Sequence, residues 1–208
     1  MKSNYLKSGV LGVGVAVLIA TASHAQTKPA EDRATAVMKA SFKERGQAKL
    51  DRLDQDRAMA LCTKYATSPI PKALAKEIEA ENLKTIPFPK DGKYLGDWKA
   101  GERIAQSGVG RQFTDNPANP SGGNCYACHK LDPKELSYGT IGTSLYQFGK
   151  IRSYAPEIAK YAYGKIYNAQ AYSACSNMPR FGHHQTLTET QIKDLVALLM
   201  DPESPVNR

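Results

Sequence analysis

The sequence has no apolar stretch long enough to cross a bilayer, no dense block of lysine or arginine and no internal repeat. It also lacks any run that alternates apolar and polar residues like a half-buried strand. A membrane span needs about 20 apolar residues, and the uncharged run Val10 to Ala20 falls short of that. Without basic blocks the chain lacks the footprint of a nucleic-acid binder. Without period-two alternation it offers nothing to build a sheet from, which leaves an all-α fold. Cysteine occurs only four times in 208 residues, so each thiol can be assigned individually.

What is present begins with an export pattern. Lys2 and Lys7 form a short basic region, Val10 to Ala20 is the apolar centre, and Ser23-His24-Ala25 supplies the small-x-small cleavage site. Residues 1–25 are therefore expected to be a removed secretory signal, with an uncleaved anchor as the competing reading. The formal charge of +8 falls to +6 when Lys2 and Lys7 leave. A basic surface of that size suits an acidic protein or an anionic substrate, or plain solubility.

The stretch that organises the rest is Cys125-Tyr126-Ala127-Cys128-His129. A C-x-x-C-H pentad reads as a c-type haem attachment site. Thiols three positions apart reach the two vinyl groups on one side of a porphyrin, and the adjacent His129 turns its imidazole to the iron. The competing readings are a thiol–disulfide pair or a zinc site. No second C-x-x-C or H-x-x-x-H completes a zinc tetrahedron. Cys62 and Cys175 are left over, and in an oxidising compartment an even remainder most simply forms a disulfide. Buried free thiols and a bridge to another subunit are the alternatives.

Apolar residues at Ala34, Met38, Phe42, Leu50, Leu53 and Leu61 fall at helical steps and predict one long helix from Glu31 to about Tyr65. A second helix is expected from Lys72 to Leu83 with Leu74 and Ile78 inward. Ile86-Pro87-Phe88-Pro89 then marks a boundary between a helical N-terminal extension, residues 26–90, and a second domain, residues 91–208. The extension is either a docking arm or a clamp on its own chain. In the second domain Asp97 caps a helix through Trp98 and Ile104, with Gly101 allowing a close helix contact. Ser107 to Asn124 is a long loop rich in Gly, Asn and Pro. A helix follows from Ala155 to about Tyr167. The last helix opens on a capping box, Thr188 and Gln191, and turns Ile192, Leu195, Val196, Leu198 and Leu199 inward.

A six-coordinate haem needs a ligand opposite His129. Met178, in Asn177-Met178-Pro179, is the candidate: a thioether is a neutral donor that raises the reduction potential, and the following proline keeps its backbone extended. His183 and His184 are the rivals, while Met38, Met59 and Met200 read as packing residues on helices. The carbonyls of Gly139 to Ser144 are expected to accept the second N–H of His129. Arg180 is a candidate for the haem propionates. Ser107 to Asn124 and Phe181-Gly182 are candidates for the rim of the haem edge.

Together these residues resemble class I c-type cytochromes in their order: a first helix with Gly101, the haem pentad, a Gly-Ile-Gly segment, and a methionine before the final helix. Two positions depart from that pattern. Thr143 stands where proline is usual, and Ala197-Leu198-Leu199 occupies the place of an aromatic residue that normally packs on the first helix. More specifically, three phrases resemble the SoxX family, small cytochrome subunits of SoxXA sulfur-oxidation complexes. They are Gly139-Thr140-Ile141-Gly142 with Ser144-Leu145, Asn177 to Gly182, and Leu198 to Asn207. The likeness runs from about Asp91 to Asn207.

What the resemblance implies is a periplasmic electron-transfer subunit with one covalent haem c, partnered by a SoxA cytochrome. Such a complex oxidatively attaches thiosulfate to a cysteine of the SoxYZ carrier, as an L-cysteine S-thiosulfotransferase. The bond-forming cysteine belongs to SoxA, and electrons pass on to a soluble cytochrome c. A stand-alone shuttle, and a haem enzyme using Cys175 as a sulfur nucleophile, are the rival functions. N-terminal sequencing of the exported protein is expected to start at or near Gln26; a chain still carrying Lys2 would show that no signal is removed.

Overall fold

The computed structural model describes residues 30–208, so the expected export signal lies outside the described residues. Among these the fold is all-α, with six helices and no strand beyond a single bridge between Arg45 and Ala48. The helices are α1 (Ala30–Ser41), α2 (Arg57–Lys64), α3 (Lys72–Leu83), α4 (Trp98–Gln106), α5 (Pro156–Tyr167) and α6 (Glu189–Met200).

α6 is the core helix. Its N-terminus carries the reciprocal Thr188–Gln191 capping box, and Ile192, Leu195, Val196, Leu198 and Leu199 are all buried. α4 crosses it closely. A Cβ at Gly101 would run into the backbone carbonyl of Asp194, so only glycine fits at this crossing. Asp194 is itself buried, and its carboxylate accepts the Asp97 N–H at 2.8 Å, while Gly96 N–H donates to Lys193 O at 3.0 Å. These bonds satisfy groups at the start of α4, alongside the Asp97 side chain on Lys99 N–H. The absence of an aromatic residue at Ala197-Leu198-Leu199 therefore does not loosen the contact, because a backbone-to-backbone approach replaces it.

The predicted long helix from Glu31 to Tyr65 is a correction. α1 stops at Ser41, and Gly46 takes a positive φ of 55° in a tight turn closed by the Arg45–Ala48 bridge. A short 3₁₀ turn, Leu50–Leu53, follows. α2 then starts afresh because the Asp56 side chain caps it, accepting Met59 N–H at 2.8 Å. The helical spacing of the apolar residues was real on either side, but a left-handed glycine and a capping aspartate interrupt it. Met38 is exposed on α1, as are Val37 beside it and Phe42 just past the helix end, so it is not a packing residue, whereas Met200 is buried.

α3 matches its expected bounds, with Ile78 fully buried. The Pro-rich boundary is not a free hinge. Ile86 is part of the main core, Phe88 packs on Tyr163 with ring centres 6.1 Å apart, and Tyr163 Oη donates to Pro87 O at 3.4 Å. The extension is thus a clamp. Gln47 donates to Gln112 O at 2.8 Å, Arg52 donates to Arg111 O at 2.6 Å, and Arg45 lies over the Phe113 ring. A disulfide joins Cys62 on α2 to Cys175, closing a separation of 113 residues. Chain-entropy arguments put such a closure at roughly 4–5 kcal/mol.

Replacing Gly101 by valine forces an α4–α6 separation that repacking cannot absorb, since the obstacle is main chain. Unfolding in denaturant is expected to show a loss of about 2–3 kcal/mol; an unchanged midpoint would show that the helices do not cross at Gly101.

Candidate haem site

The pentad forms one irregular turn. Asn124 enters it in the left-handed region, Cys125–Ala127 make a 3₁₀ turn, and His129 N–H donates to Cys125 O at 2.9 Å. α4 holds it from below: Tyr126 is buried, and its hydroxyl donates to Glu102 Oε1 at 2.9 Å. Burial raises the Glu102 carboxyl above its ordinary range, against the Tyr126 and Gln106 hydrogen bonds that lower it. Nothing in the sequence pattern around Glu102 set it apart from a solvated helix carboxylate.

Residues 139–145 lie along the pentad. Gly139 N–H donates to Tyr126 O, Gly142 N–H to Cys128 O and Leu145 N–H to Lys130 O, each at 2.8 Å. A Cβ at Gly139 would strike the Ala127 carbonyl, and one at Gly142 would strike the His129 ring. The Gly-Thr-Ile-Gly phrase is therefore a close-approach requirement of the pentad and its imidazole. His129 Nδ1 lies 2.7 Å from Thr143 O, within the segment expected to supply the acceptor. A carbonyl only accepts, so Nδ1 carries the proton and Nε2 keeps a free lone pair for a metal. Threonine in place of proline does not disturb this, because the contact uses its main chain.

His129 and Met178 line one cavity of about 260 Å³, walled by Leu145, Phe148, Ile166 and Leu199. Its lining includes two cations, Arg152 and Lys165. Arg152 donates to Phe148 O at 3.0 Å, and Lys165 donates to Ala169 O at 3.2 Å. Partial burial lowers the Lys165 pKa, and only Glu79 opposes it. The wall is held by Asn207, whose side chain accepts Gly149 N–H and donates to Leu199 O and Asp201 O. Asn207 had no assigned role in the sequence reading; only the folded tail shows what it ties together.

The donor types lining this cavity suit a haem iron, while Cys125 and Cys128 do not themselves line it. Cys125 and Cys128 are unbridged while the other cysteine pair is closed. Burial pushes the Cys125 thiol up to about 12, which makes it a poor thiol-exchange nucleophile. Among the described residues no group of three or more His, Cys, Asp or Glu side chains gathers as a metal site, so the zinc reading finds no ligand set. Apolar walls, a free imidazole nitrogen, a thioether and two cations for carboxylates are what a porphyrin with propionates requires.

Other expected placements change. His183 and His184 do not line the cavity; they pack edge-on to each other, and His183 Nε2 lies 3.8 Å from Asp56. Arg180, the candidate for the propionates, does not line this cavity; it is buried and paired with Asp56 Oδ2 at 2.6 Å. Phe181 and Gly182 are buried and form no open rim, whereas the Ser107–Asn124 loop is mostly exposed, with Gln47 donating to Gln112 O and Asp115 O, and does not line this cavity.

No protein-family profile matches the chain. Over 136 residues it is 41% identical to a protein of Aquifex aeolicus (strain VF5) named an uncharacterized lipoprotein, a stretch covering 64% of this chain and 61% of that relative. The chain therefore spans less than two thirds of the length of the curated relative it matches.

Partial burial raises the Asp56 carboxyl, but the Met59 N–H and the Arg180 guanidinium outweigh it, helped by His183, and hold it below the usual carboxylate range. A depressed carboxyl stabilises the fold above its unfolded pKa of about 3.9 and loses that contribution as pH falls through the folded value. Comparing unfolding of the native protein with Asp56→Asn is expected to give a constant deficit above about pH 5 that closes in stronger acid. A deficit that grew on acidification would show that Asp56 is not held charged.

Proposed function

We propose that this chain is an exported c-type cytochrome, class I-like in its haem domain, that transfers electrons as one subunit of a sulfur-oxidising complex. The observation that carries the reading is that His129 and Met178, far apart in sequence, line one cavity, with His129 directly following the unbridged Cys125 and Cys128 in the chain. Cys125 and Cys128 would hold haem c as thioethers, and His129 Nε2 and the Met178 sulfur would ligate its iron. Bound there, the haem supplies a one-electron iron couple whose potential a thioether raises.

The chain's own residues set the conditions for that couple. Thr143 O fixes the tautomer and plane of His129. Leu145, Phe148, Ile166 and Leu199 give the cavity an apolar wall, and Arg152 and Lys165 in its lining would balance the propionate carboxylates. If His129 and Met178 both ligate the iron, no position is left on it for substrate, and the chain would relay charge without itself forming sulfur bonds.

The phrases shared with SoxX extend this to a partner. SoxA would supply electrons while thiosulfate is attached to SoxYZ, and a soluble cytochrome c would accept them. The proposed compartment is the periplasm. The expected export leader, the Cys62–Cys175 bridge and a relative named as a lipoprotein support export. The extension folds onto its own chain, so it does not argue for a docking arm. The rival enzyme reading loses its nucleophile, because Cys175 is in the disulfide.

Protein produced with haem-attachment machinery is expected to stain for haem on denaturing gels, and Cys125→Ala/Cys128→Ala to lose the stain. The ferric native protein should show the methionine-to-iron band in the red. Met178→Ala should remove it and open the ferrous protein to carbon monoxide. A native protein that binds carbon monoxide readily would overturn the relay assignment. Co-purification of a second haem polypeptide from the periplasm tests the SoxA partnership, and its absence favours a stand-alone shuttle.

A further inference from the structure

The segment that carries Met178 makes few bonds of its own. Within it, Ser176 N–H donates to Ser173 O at 3.1 Å and Met178 N–H to Ser176 Oγ at 3.2 Å. Its anchors come from the extension, and they sit on both sides of Met178. Before it, Ala174 N–H donates to Glu79 Oε1 of α3 at 3.0 Å, and Cys175 is tied to Cys62 of α2. Two residues after it, Arg180 pairs with Asp56, the cap of α2, at 2.6 Å and reaches Asn82 Oδ1 of α3 at 3.4 Å. Asn82 in turn accepts Asn168 Nδ2 at 2.9 Å, which ties the group to the end of α5. Cys175 holds a positive φ of 59°, a conformation costly for a side-chain-bearing residue unless its surroundings impose it.

We infer that the N-terminal extension is a brace that holds the Met178 thioether at the cavity, with Asp56, Arg180 and the Cys62–Cys175 bridge as its positioning residues. The inference rests on the haem reading and deepens it. A thioether is a neutral donor with no charge to hold it on a metal, so its occupancy depends on how narrowly the backbone confines it. The segment's own two hydrogen bonds confine it poorly. A buried guanidinium whose counter-charge lies on the extension cannot move without exposing an unpaired cation to a low-dielectric interior, and the disulfide fixes the opposite flank covalently. The extension therefore acts on the iron site without contributing a residue to the cavity wall.

The test uses the full haem-loaded protein, with carbon monoxide as the probe of the ferrous form and the red methionine band as the readout of the ferric form. Asp56→Asn and Cys62→Ala/Cys175→Ala are compared with Arg57→Gln. Arg57 pairs with Glu77 and Glu81 on the surface of the same extension and does not touch the Met178 segment. Apparent affinity scales with the population of the open state, so a brace that raises this population about tenfold when broken should raise carbon monoxide affinity by about tenfold. The band should weaken in both brace variants, and Arg57→Gln should match the native protein. Because both readouts are taken well below the melting temperature, general destabilisation does not mimic the result, and the disulfide variant keeps the test alive if Asp56→Asn fails to fold. A native protein with the band, beside brace variants that keep the band and the native affinity, overturns this inference alone. A native protein without the band overturns the ligation reading and the inference with it.

Discussion

Arg180 is a permanent cation placed where almost no water reaches it, with only 4% of its side chain exposed. Moving such a charge into the interior costs several kcal/mol even after relaxation, so the fold must deliver a counter-charge and hydrogen-bond acceptors to the same place. Asp56 supplies the charge and Asn82 an acceptor, and both belong to the extension. The pair fixes where α2 and α3 lie against the segment around Met178. Its contribution is best seen as register: few other placements of the extension leave Arg180 paired.

The same economy of position sorts the four cysteines. Cys62 and Cys175 meet because α2 is held against the 174–180 segment, and their bridge uses the even remainder. Cys125 and Cys128 stay apart on their irregular turn, one of them with its thiol buried and its ionisation suppressed. A buried, un-ionised thiol is protected from exchange. The glycines at 139 and 142 allow the following segment to press against this turn and against the imidazole, so that a main-chain carbonyl orients His129.

Local chemistry was readable wherever it is complete within a few residues. The pentad, the Thr188–Gln191 capping box, the Asp97 cap, the bounds of α3 and the inward face of α6 all follow from short-range patterns. Where the reading failed, the deciding partner was distant. A charged, Ala-rich stretch reads as one helix until Gly46 is seen turning against Phe113 and Asp56 capping a new start. Arg180 looked like a propionate ligand because an arginine in a loop carries no mark of the aspartate 124 positions away that neutralises it. Glu102, Asn82 and Asn207 stood out in no local pattern for the same reason.

The sequence alone determined the all-α character, the helix caps and the spacing of cysteine and histidine in the 125–129 turn, because helix periodicity, caps and pentad spacing are properties of neighbouring residues. Tertiary structure alone decided that Met178 faces the same cavity as His129, that the extension clamps its own chain, and that a buried ion pair and a disulfide flank Met178's segment. Those outcomes depend on burying charge and closing long loops, and both are settled by groups that meet only after the chain has folded.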